Sequence, residues 1–335
     1  MNSNRRALLA GGVALGCAQL VAAEIWGEPP SQAQGDAAAP VWPPSERIAL
    51  WPGKPPGMTA RIPEPSLTMN GPRGERELWV SGIAQPEINV FRAARPDGSA
   101  LLVLPGGGYG FLSVQNEGID VARRYAPFGT HVFVLTYRLP GEGWLQRDRV
   151  PLQDAQRAMR VLRSMASRLS VDSDRIGVIG FSAGGHLAAD LSTAFDEPVY
   201  APVDAADELS ARPRFTGLIY PVVSMAPGAG HPGSRDRLLG DNAPAALVRQ
   251  RSPVEHIRPD TPPIFIVHAV DDPVVPADAS LQMIAACRRA KVAVEGHFFE
   301  AGGHGFGFRS APDLPASRWP DLFASWMRTR QASAA

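Results

Sequence analysis

Short apolar runs of strand type alternate with helical spacings over most of this chain. Leu101-Leu-Val-Leu104 is an unbroken apolar run, the pattern of a strand buried on both faces. Runs of the same character stand at His131-Val-Phe-Val-Leu-Thr-Tyr137, Arg175-Ile-Gly-Val-Ile179, Phe215-Thr-Gly-Leu-Ile-Tyr220, Ile264-Phe-Ile-Val267 and Val292-Ala-Val-Glu-Gly-His-Phe-Phe299. Between them, residues 118–125 read as a helix, and residues 152–169 place Ala155, Ala158, Met159, Leu162 and Met165 near one helical face. Further helices are expected after residue 182, at about 277–290 and at about 319–330. Upstream, Arg47-Ile-Ala-Leu-Trp51 and Glu87-Ile-Asn-Val-Phe91 are shorter strand candidates, and Asp97-Gly98 marks a turn. This alternation predicts an α/β fold: a mostly parallel, twisted sheet with helices on both faces. No break in composition divides it, so residues 45–335 are expected to form one domain. The irregular stretches at about 196–214 and 224–262 follow strands, where site-forming loops belong in such folds, and are expected to form loops or a small cap.

Charge narrows the partners. Lys plus Arg and Asp plus Glu both total 33, so the net charge is zero and gives no reason to expect a nucleic-acid or anionic-membrane partner. The N-terminus is different in kind. Met1-Asn-Ser-Asn-Arg5-Arg6 is basic, a modest apolar stretch follows from Ala7, and Val21-Ala22-Ala23 offers small residues for cleavage. Residues 1–23 therefore read as an export signal, of twin-arginine or Sec type. Residues 24–44 read as a linker, Ala/Pro-rich at its end. No later segment has 18 apolar residues in a row, so the processed chain is expected to be periplasmic or secreted without stable membrane insertion. Cys17 and Cys287 are the only cysteines, and with the signal removed no intrachain disulfide can form. Cys287 reads as an apolar position on a helix.

The candidate chemistry centres on Gly180-Phe-Ser-Ala-Gly-Gly185, between an apolar strand and a helix opening His186-Leu-Ala-Ala. A serine between small residues on a strand-to-helix turn is the nucleophile elbow of an α/β-hydrolase; the glycines permit the sharp turn and leave the Ser182 hydroxyl at the sheet's end. Asp272 follows the strand at 264–267, and His304, in Gly302-Gly-His-Gly-Phe306, follows the last strand. The order Ser, Asp, His is that of the same fold. A serine hydroxyl is a weak nucleophile until a base takes its proton; His304 would do so, with Asp272 fixing the imidazole tautomer and stabilising the imidazolium. Asp271 competes for the acid's place. Asp272 is preferred because the acid usually precedes a two-residue spacer and Val-Pro, here Pro273-Val274-Val275-Pro276, and Asp271 then reads as a loop-capping carboxylate. Leu104-Pro-Gly-Gly-Gly-Tyr109 follows a strand, and Gly107 and Gly108, with Ala183, would supply the backbone N–H groups of an oxyanion hole.

Tyr109, Arg138 and Arg235 are candidates to contact substrate; Tyr109 and Arg138 follow strand ends. Trp42, Trp51 and Trp79 could stack sugars. Asp154 reads as a buried helix anchor, His186 as packing under the site, and His268 as structural. No His-Glu-x-x-His or Cys/His cluster is present, so neither a metal nor another cofactor is expected.

Taken together, Leu50-Trp-Pro-Gly53, Pro105-Gly-Gly-Gly-Tyr-Gly110, Pro151-Leu-Gln-Asp-Ala-Gln-Arg157, Gly180-Phe-Ser-Ala-Gly-Gly-His-Leu-Ala188 and Gly302-Gly-His-Gly-Phe-Gly307 resemble exported esterases of the α/β-hydrolase superfamily. The likeness is to acetylxylan esterases and the hormone-sensitive-lipase-like branch, and it runs from about residue 50 to the C-terminus. The resemblance implies a carboxylic ester hydrolase acting on small-molecule or oligosaccharide esters, with O-acetyl groups of xylan or pectin as the substrate class. A general or feruloyl carboxylesterase, a prolyl-oligopeptidase-type peptidase and a non-catalytic sugar-binding protein are the alternatives. The xylanase label that some similar proteins carry is discounted, since no pair of carboxylates here looks arranged for glycoside hydrolysis.

Overall fold

The computed structural model describes residues 39–71, 76–310 and 312–331. The expected export signal and residues 24–38 of the expected linker lie outside the described residues. Eleven strands are present among the described residues: β1 (Arg47–Ala49), β2 (Ser66–Asn70), β3 (Glu77–Ser81), β4 (Glu87–Phe91), β5 (Ala100–Leu104), β6 (Leu112–Ser113), β7 (His131–Thr136), β8 (Ile176–Phe181), β9 (Thr216–Ile219), β10 (Ile264–Ala269) and β11 (Val294–Phe299). The α-helices are α1 (Asp120–Tyr125), α2 (Val150–Ser164), α3 (Ala166–Leu169), α4 (Ser182–Thr193), α5 (Pro232–Leu239), α6 (Ala245–Gln250), α7 (Asp278–Arg289) and α8 (Trp319–Gln331).

Eight strands form the main sheet in the order β1-β4-β7-β5-β8-β9-β10-β11. Pairing is parallel from β7 through β11 and antiparallel at β1/β4 and β4/β7. This is the expected α/β-hydrolase arrangement. The apolar runs are continuous because both faces are covered. In β5, Ala100, Leu102 and Leu104 feed one core, and Leu101 and Val103 feed the other. The first core takes in Leu152, Ala155, Ala158, Met159 and Leu162 of α2 and Met283 and Cys287 of α7. The second packs Val121 and Tyr125 of α1 and Trp319, Phe323 and Trp326 of α8 against the opposite face.

Register places the strand ends together. Leu104 pairs with Gly180, Phe181 with Ile219, Ile219 with Val267, and Ala269 with Phe299. The segments after β5, β8, β10 and β11 therefore leave the sheet at one edge.

Several expected boundaries shift for local reasons. The helix read at 118–125 begins with a wider π turn, Gln115–Ile119, before α1. The helix read at 152–169 breaks at Met165 into α2 and α3. The irregular stretch at 224–262 contains α5 and α6. A three-stranded antiparallel sheet, β2-β3-β6, was not expected. Its β6 is two residues long, too short to carry a hydrophobic period. Trp51 is a core residue, so it is unavailable to a sugar, and its indole N–H donates to Asp154 Oδ1 at 2.8 Å.

Arg138 is likewise no substrate contact. Its side chain and that of Asp154 are both 0% exposed. Nε lies 3.1 and 2.9 Å from the two Asp154 oxygens and Nη2 2.8 Å from Oδ1, while Gln153 and the Pro56 carbonyl take the remaining guanidinium contacts. The Arg138 backbone N–H also donates to Asp154, at 2.9 Å. The pair ties the segment after β7 to α2. Removing one partner of a buried pair leaves the other charge uncompensated. Asp154→Asn is therefore expected to lower stability by about 3–5 kcal/mol, measured by urea unfolding; an unchanged midpoint would contradict a structural role for the pair.

Candidate active site

The sharp turn after β8 is built by close packing. Phe181 is extended (φ −120°, ψ 133°), and Ser182 opens α4 at φ +51°. That left-handed conformation costs a non-glycine residue about 1–3 kcal/mol and persists only where neighbours enforce it. They do so here because glycines let backbone meet backbone. A Cβ on Gly180 would lie 2.1 Å from the Gly184 carbonyl oxygen, and one on Gly184 would lie 2.1 and 2.4 Å from the Leu104 and Pro105 oxygens. The Val222 N–H donates to the Ser182 carbonyl at 3.2 Å and braces the turn from the β9 side.

The loops after β10 and β11 bring two more groups to this turn. Ser182 Oγ lies 2.9 Å from His304 Nε2, and His304 Nδ1 lies 2.6 Å from Asp272 Oδ2. With a carboxylate against Nδ1, that nitrogen carries the proton and Nε2 is left to accept from the serine. Asp272 Oδ1 accepts from the Val274 and Val275 N–H groups at 2.8 and 2.9 Å. Burial by itself raises the Asp272 carboxyl. Hydrogen bonds from His268 and His304, the His304 charge and the Val275 amide outweigh it, and the carboxyl stays well below the usual carboxylate range. Asp271 turns the other way: its Oδ1 accepts from the Gly302 and Gly303 N–H groups at 3.0 and 2.8 Å, bracing the loop that carries His304.

His268 is nearer to this chemistry than its sequence context suggests. Its Nε2 faces two acceptors, Asp272 Oδ2 at 3.2 Å and the Val275 carbonyl at 3.0 Å. Nε2 therefore holds the proton, and Nδ1 accepts from Ser280 Oγ at 2.7 Å. No motif marks this residue in the sequence; only its place at the end of β10 could have drawn attention to it.

The glycine loop after β5 lies against the serine: a Cβ on Gly106 would be 3.0 Å from Ser182 Cβ. Gly107 and Gly108 take φ +127° and +60°. The Gly106 N–H is already engaged by Glu117 Oε2 at 2.6 Å. Among the described residues the Gly107 and Gly108 N–H groups have no hydrogen-bond acceptor, and Ala183 lies in the first turn of α4, where amides lack one within the helix. The Tyr137 hydroxyl fixes the loop's start by donating to the Pro105 carbonyl at 2.6 Å, and the Ser113 N–H of β6 donates to the Gly106 carbonyl at 3.0 Å.

One further substrate-contact expectation, Arg235, needs correction. Tyr109 is only 1% exposed and its hydroxyl lies 2.7 Å from His186 Nδ1, yet the residue lines the cleft beside the glycine loop. His186 Nε2 donates to the Arg251 carbonyl at 2.8 Å, and burial pushes this imidazole down to about 4, keeping it neutral. Arg235 Nε and Nη2 turn onto Asp236 at 2.9 and 2.8 Å, off the cleft beside the glycine loop. That cleft has a volume of about 590 Å³, and Leu139, Glu142, Arg147, Asp236, Arg237 and Asp241 are among its walls. Arg237, two residues from Arg235, is the α5 arginine that lines the cleft; its Nη1 is 3.4 Å from the Gly108 carbonyl. The two residues stand about 200° apart around α5 and so face opposite sides, and residue type alone does not decide which of them points inward. A larger groove of about 760 Å³ between α7 and the segment after β9 contains none of Ser182, Asp272 or His304. Trp79 stacks on Phe111 at 3.7 Å just past the glycine loop. No group of three or more His, Cys, Asp or Glu residues able to hold a metal occurs among the described residues.

The BD-FAE family model matches residues 101–286, which include the glycine loop, Ser182 and Asp272. The acetylxylan esterase of Xylanibacter ruminicola is 32% identical over 249 residues, covering 72% of this chain and 48% of that protein. Endo-1,4-beta-xylanase B of Butyrivibrio fibrisolvens is 33% identical over 205 residues, covering 61% of this chain and 32% of that protein. The chain thus spans less than half the length of both relatives. Among solved structures, an acetyl ester-xyloside bifunctional hydrolase from Caldicellulosiruptor lactoaceticus superposes with a TM-score of 0.70 at 32% identity, covering 86% of this chain and 97% of that one.

The packing at the turn makes a prediction independent of activity. Gly184→Ala forces a methyl group against the Leu104 and Pro105 carbonyls, and is expected to cost at least about 1–3 kcal/mol in urea unfolding. A wild-type midpoint would show that the approach at the turn is not close.

Proposed function

Because the chain belongs to the BD-FAE family of α/β-hydrolase esterases, we propose that it is a serine esterase that removes O-acetyl groups from xylan- or pectin-type polysaccharides and their oligomers. The observation that carries the reading is the unbroken chain Ser182 Oγ–His304–Asp272, at 2.9 and 2.6 Å, beside a glycine loop with free amides. His304 Nε2 takes the serine proton as Oγ attacks the ester carbonyl. The Gly107, Gly108 and Ala183 N–H groups hold the developing oxyanion. His304 then protonates the departing sugar oxygen as its bond to the acyl carbon breaks, and water, activated by the same imidazole, frees the acyl group. Asp272 is the triad acid in this reading, and Asp271 only braces the histidine loop.

The substrate class rests on two supports. The relatives at 32% identity are named for acetylxylan and acetyl ester-xyloside hydrolysis. The cleft beside the glycine loop carries Arg147, Arg237, Asp236 and Asp241, hydrogen-bonding groups that suit a polyol leaving group. The polymeric substrate would be met outside the cytoplasm, which agrees with reading residues 1–23 as an export signal. Among the described residues no helix is long and apolar enough to cross a membrane.

The test is acetate release from acetylated xylo- and pectic oligosaccharides. Wild type is expected to release acetate, and Ser182→Ala to lose about 10⁶-fold in kcat. Asp272→Asn is expected to lose about 10⁴-fold, with Asp271→Asn staying far closer to wild type. Turnover of short aryl acetates without release from any of these sugars would overturn the substrate class. Equal losses for the two aspartate variants would overturn the assignment of the acid.

A further inference from the structure

Three consecutive residues on the π turn, Gln115, Asn116 and Glu117, reach three different elements. Gln115 Oε1 accepts from the Leu78 N–H of β3 at 3.0 Å. Asn116 spans the histidine loop: its Nδ2 donates to the Gly305 carbonyl and its Oδ1 accepts from the Phe308 N–H, both at 3.0 Å. Glu117 lies between the glycine loop and Tyr220. Its Oε2 accepts from the Gly106 N–H at 2.6 Å, and its Oε1 accepts from the Tyr220 hydroxyl at 2.7 Å. The Tyr220 oxygen in turn accepts from the Gly307 N–H at 3.0 Å, and its ring lies 5.0 Å from the His304 ring, centroid to centroid. An α turn spaces residues 100° apart; the wider π turn, a feature frequent at functional sites, lets neighbouring side chains both face inward. Asn116 and Glu117 are 3% and 4% exposed.

We propose that Glu117 is a positioning residue that couples the oxyanion loop to the His304 loop, and that its ionised form sets the active geometry. The inference rests on the proposed roles of Ser182, His304 and the Gly107/Gly108 amides. The hydrogen count supports the ionised form. A carboxylate accepts both the Gly106 and Tyr220 hydrogens, and Tyr220 still accepts from Gly307. A protonated Glu117 must place its hydrogen on one of the two oxygens that now accept, and the contact at that oxygen is then weakened or reversed. The oxyanion donors follow Gly106 directly, so a shift there moves them relative to Ser182.

The surroundings decide the pH range. Burial, then the neighbouring Glu77 charge, raise Glu117; the Tyr220 and Gly106 hydrogen bonds oppose them, leaving the group at about 8. Glu77, on β3, is itself raised by burial and faces Arg309, and Tyr137 approaches Glu117 from the end of β7. His304 lies beyond Tyr220. Activity is therefore expected to rise with pH through this ionisation. Stability has the opposite sign. Between the ordinary carboxylate range and about 8 the folded state keeps a proton that the unfolded state has lost, so this group's contribution to stability falls as pH rises.

The experiment compares wild type, Glu117→Gln, Tyr220→Phe and Ser182→Ala on 4-nitrophenyl acetate from pH 5 to 9, with urea midpoints at each pH. Glutamine keeps the size of Glu117 and cannot ionise. The expected result for Glu117→Gln is a fall in kcat of about 10²-fold, the order of loss that a displacement of about 1 Å produces. KM should be little changed, and the activity limb and the stability slope between neutral pH and 9 should both vanish. Tyr220→Phe should lose kcat in the same sense. Glu117→Gln with wild-type kcat and an unchanged pH limb would overturn the proposal. If Glu117→Gln fails to fold, Tyr220→Phe decides: lowered kcat with a displaced limb supports the coupling, and wild-type kinetics overturn it. Ser182→Ala separates the two readings. If it is silent while Glu117→Gln matches wild type, the coupling fails and the nucleophile stands; if it stays active, the reading of the triad falls and the coupling with it.

Discussion

Contact between Gly184 and the carbonyl oxygens of Leu104 and Pro105 is the constraint on which the rest of the site depends. A side chain at Gly184 would begin 2.1 Å from one of those oxygens. The first turn of α4 therefore sits directly over the end of β5. That approach holds Ser182 in a left-handed conformation and brings the glycine loop against its side chain. It also places the Ala183 amide on the same side as the loop that follows Leu104. The proposed nucleophile, the first amides of α4 and the glycine loop are thus set by one packing event, supported on the β9 side by the Val222–Ser182 hydrogen bond. Backbone strain of this kind survives only where the surroundings leave no alternative.

Polar groups buried around this contact are paired in short chains. His268 connects Ser280 to Asp272, and Asp272 connects onward to His304 and Ser182. Tyr109 and His186 run from the glycine loop to the Arg251 carbonyl, and the Arg251 guanidinium is held by Glu197 at 3.0 and 2.9 Å. Arg138 and Asp154 fix the end of β7 to α2. In a low-dielectric interior each such group is costly unless its partners are in place, so satisfied chains specify one arrangement of loops. The arrangement of the sheet edge that gathers Ser182, Asp272 and His304 is specified by this pairing as well as by its packing.

The sequence conveys the sheet and the triad candidates well, because both depend on local pattern. Continuous apolar strands announce a covered parallel sheet, and Gly180 and Gly184 announce a close turn around Ser182. The choice of Asp272 over Asp271 rests on spacing, and in the structure it is Asp272 that reaches His304 while Asp271 holds the Gly302 and Gly303 amides. Other features depend on contacts distant in the chain. Arg138, after a strand end, and Arg235, in an irregular stretch, are both substrate-contact candidates in sequence, yet one is sealed against Asp154 and the other turns onto Asp236. Nothing near Glu117 in the chain reveals Tyr220, 103 residues away, as its partner. The two-residue β6 carries no period, although it pins the Gly106 carbonyl. Long-range polar pairing and very short strands are the parts that pattern does not encode.

The central claim is that the strained Ser182 is the one hydroxyl activated by His304. Reaction with a fluorophosphonate followed by peptide mass mapping tests it directly, since such a reagent marks only a serine whose proton a base can take and whose oxyanion the site can hold. The account predicts a single adduct on the peptide containing Ser182, strongly slowed in His304→Ala. An adduct on another residue, or labelling of Ser182 at the same rate without His304, would contradict it.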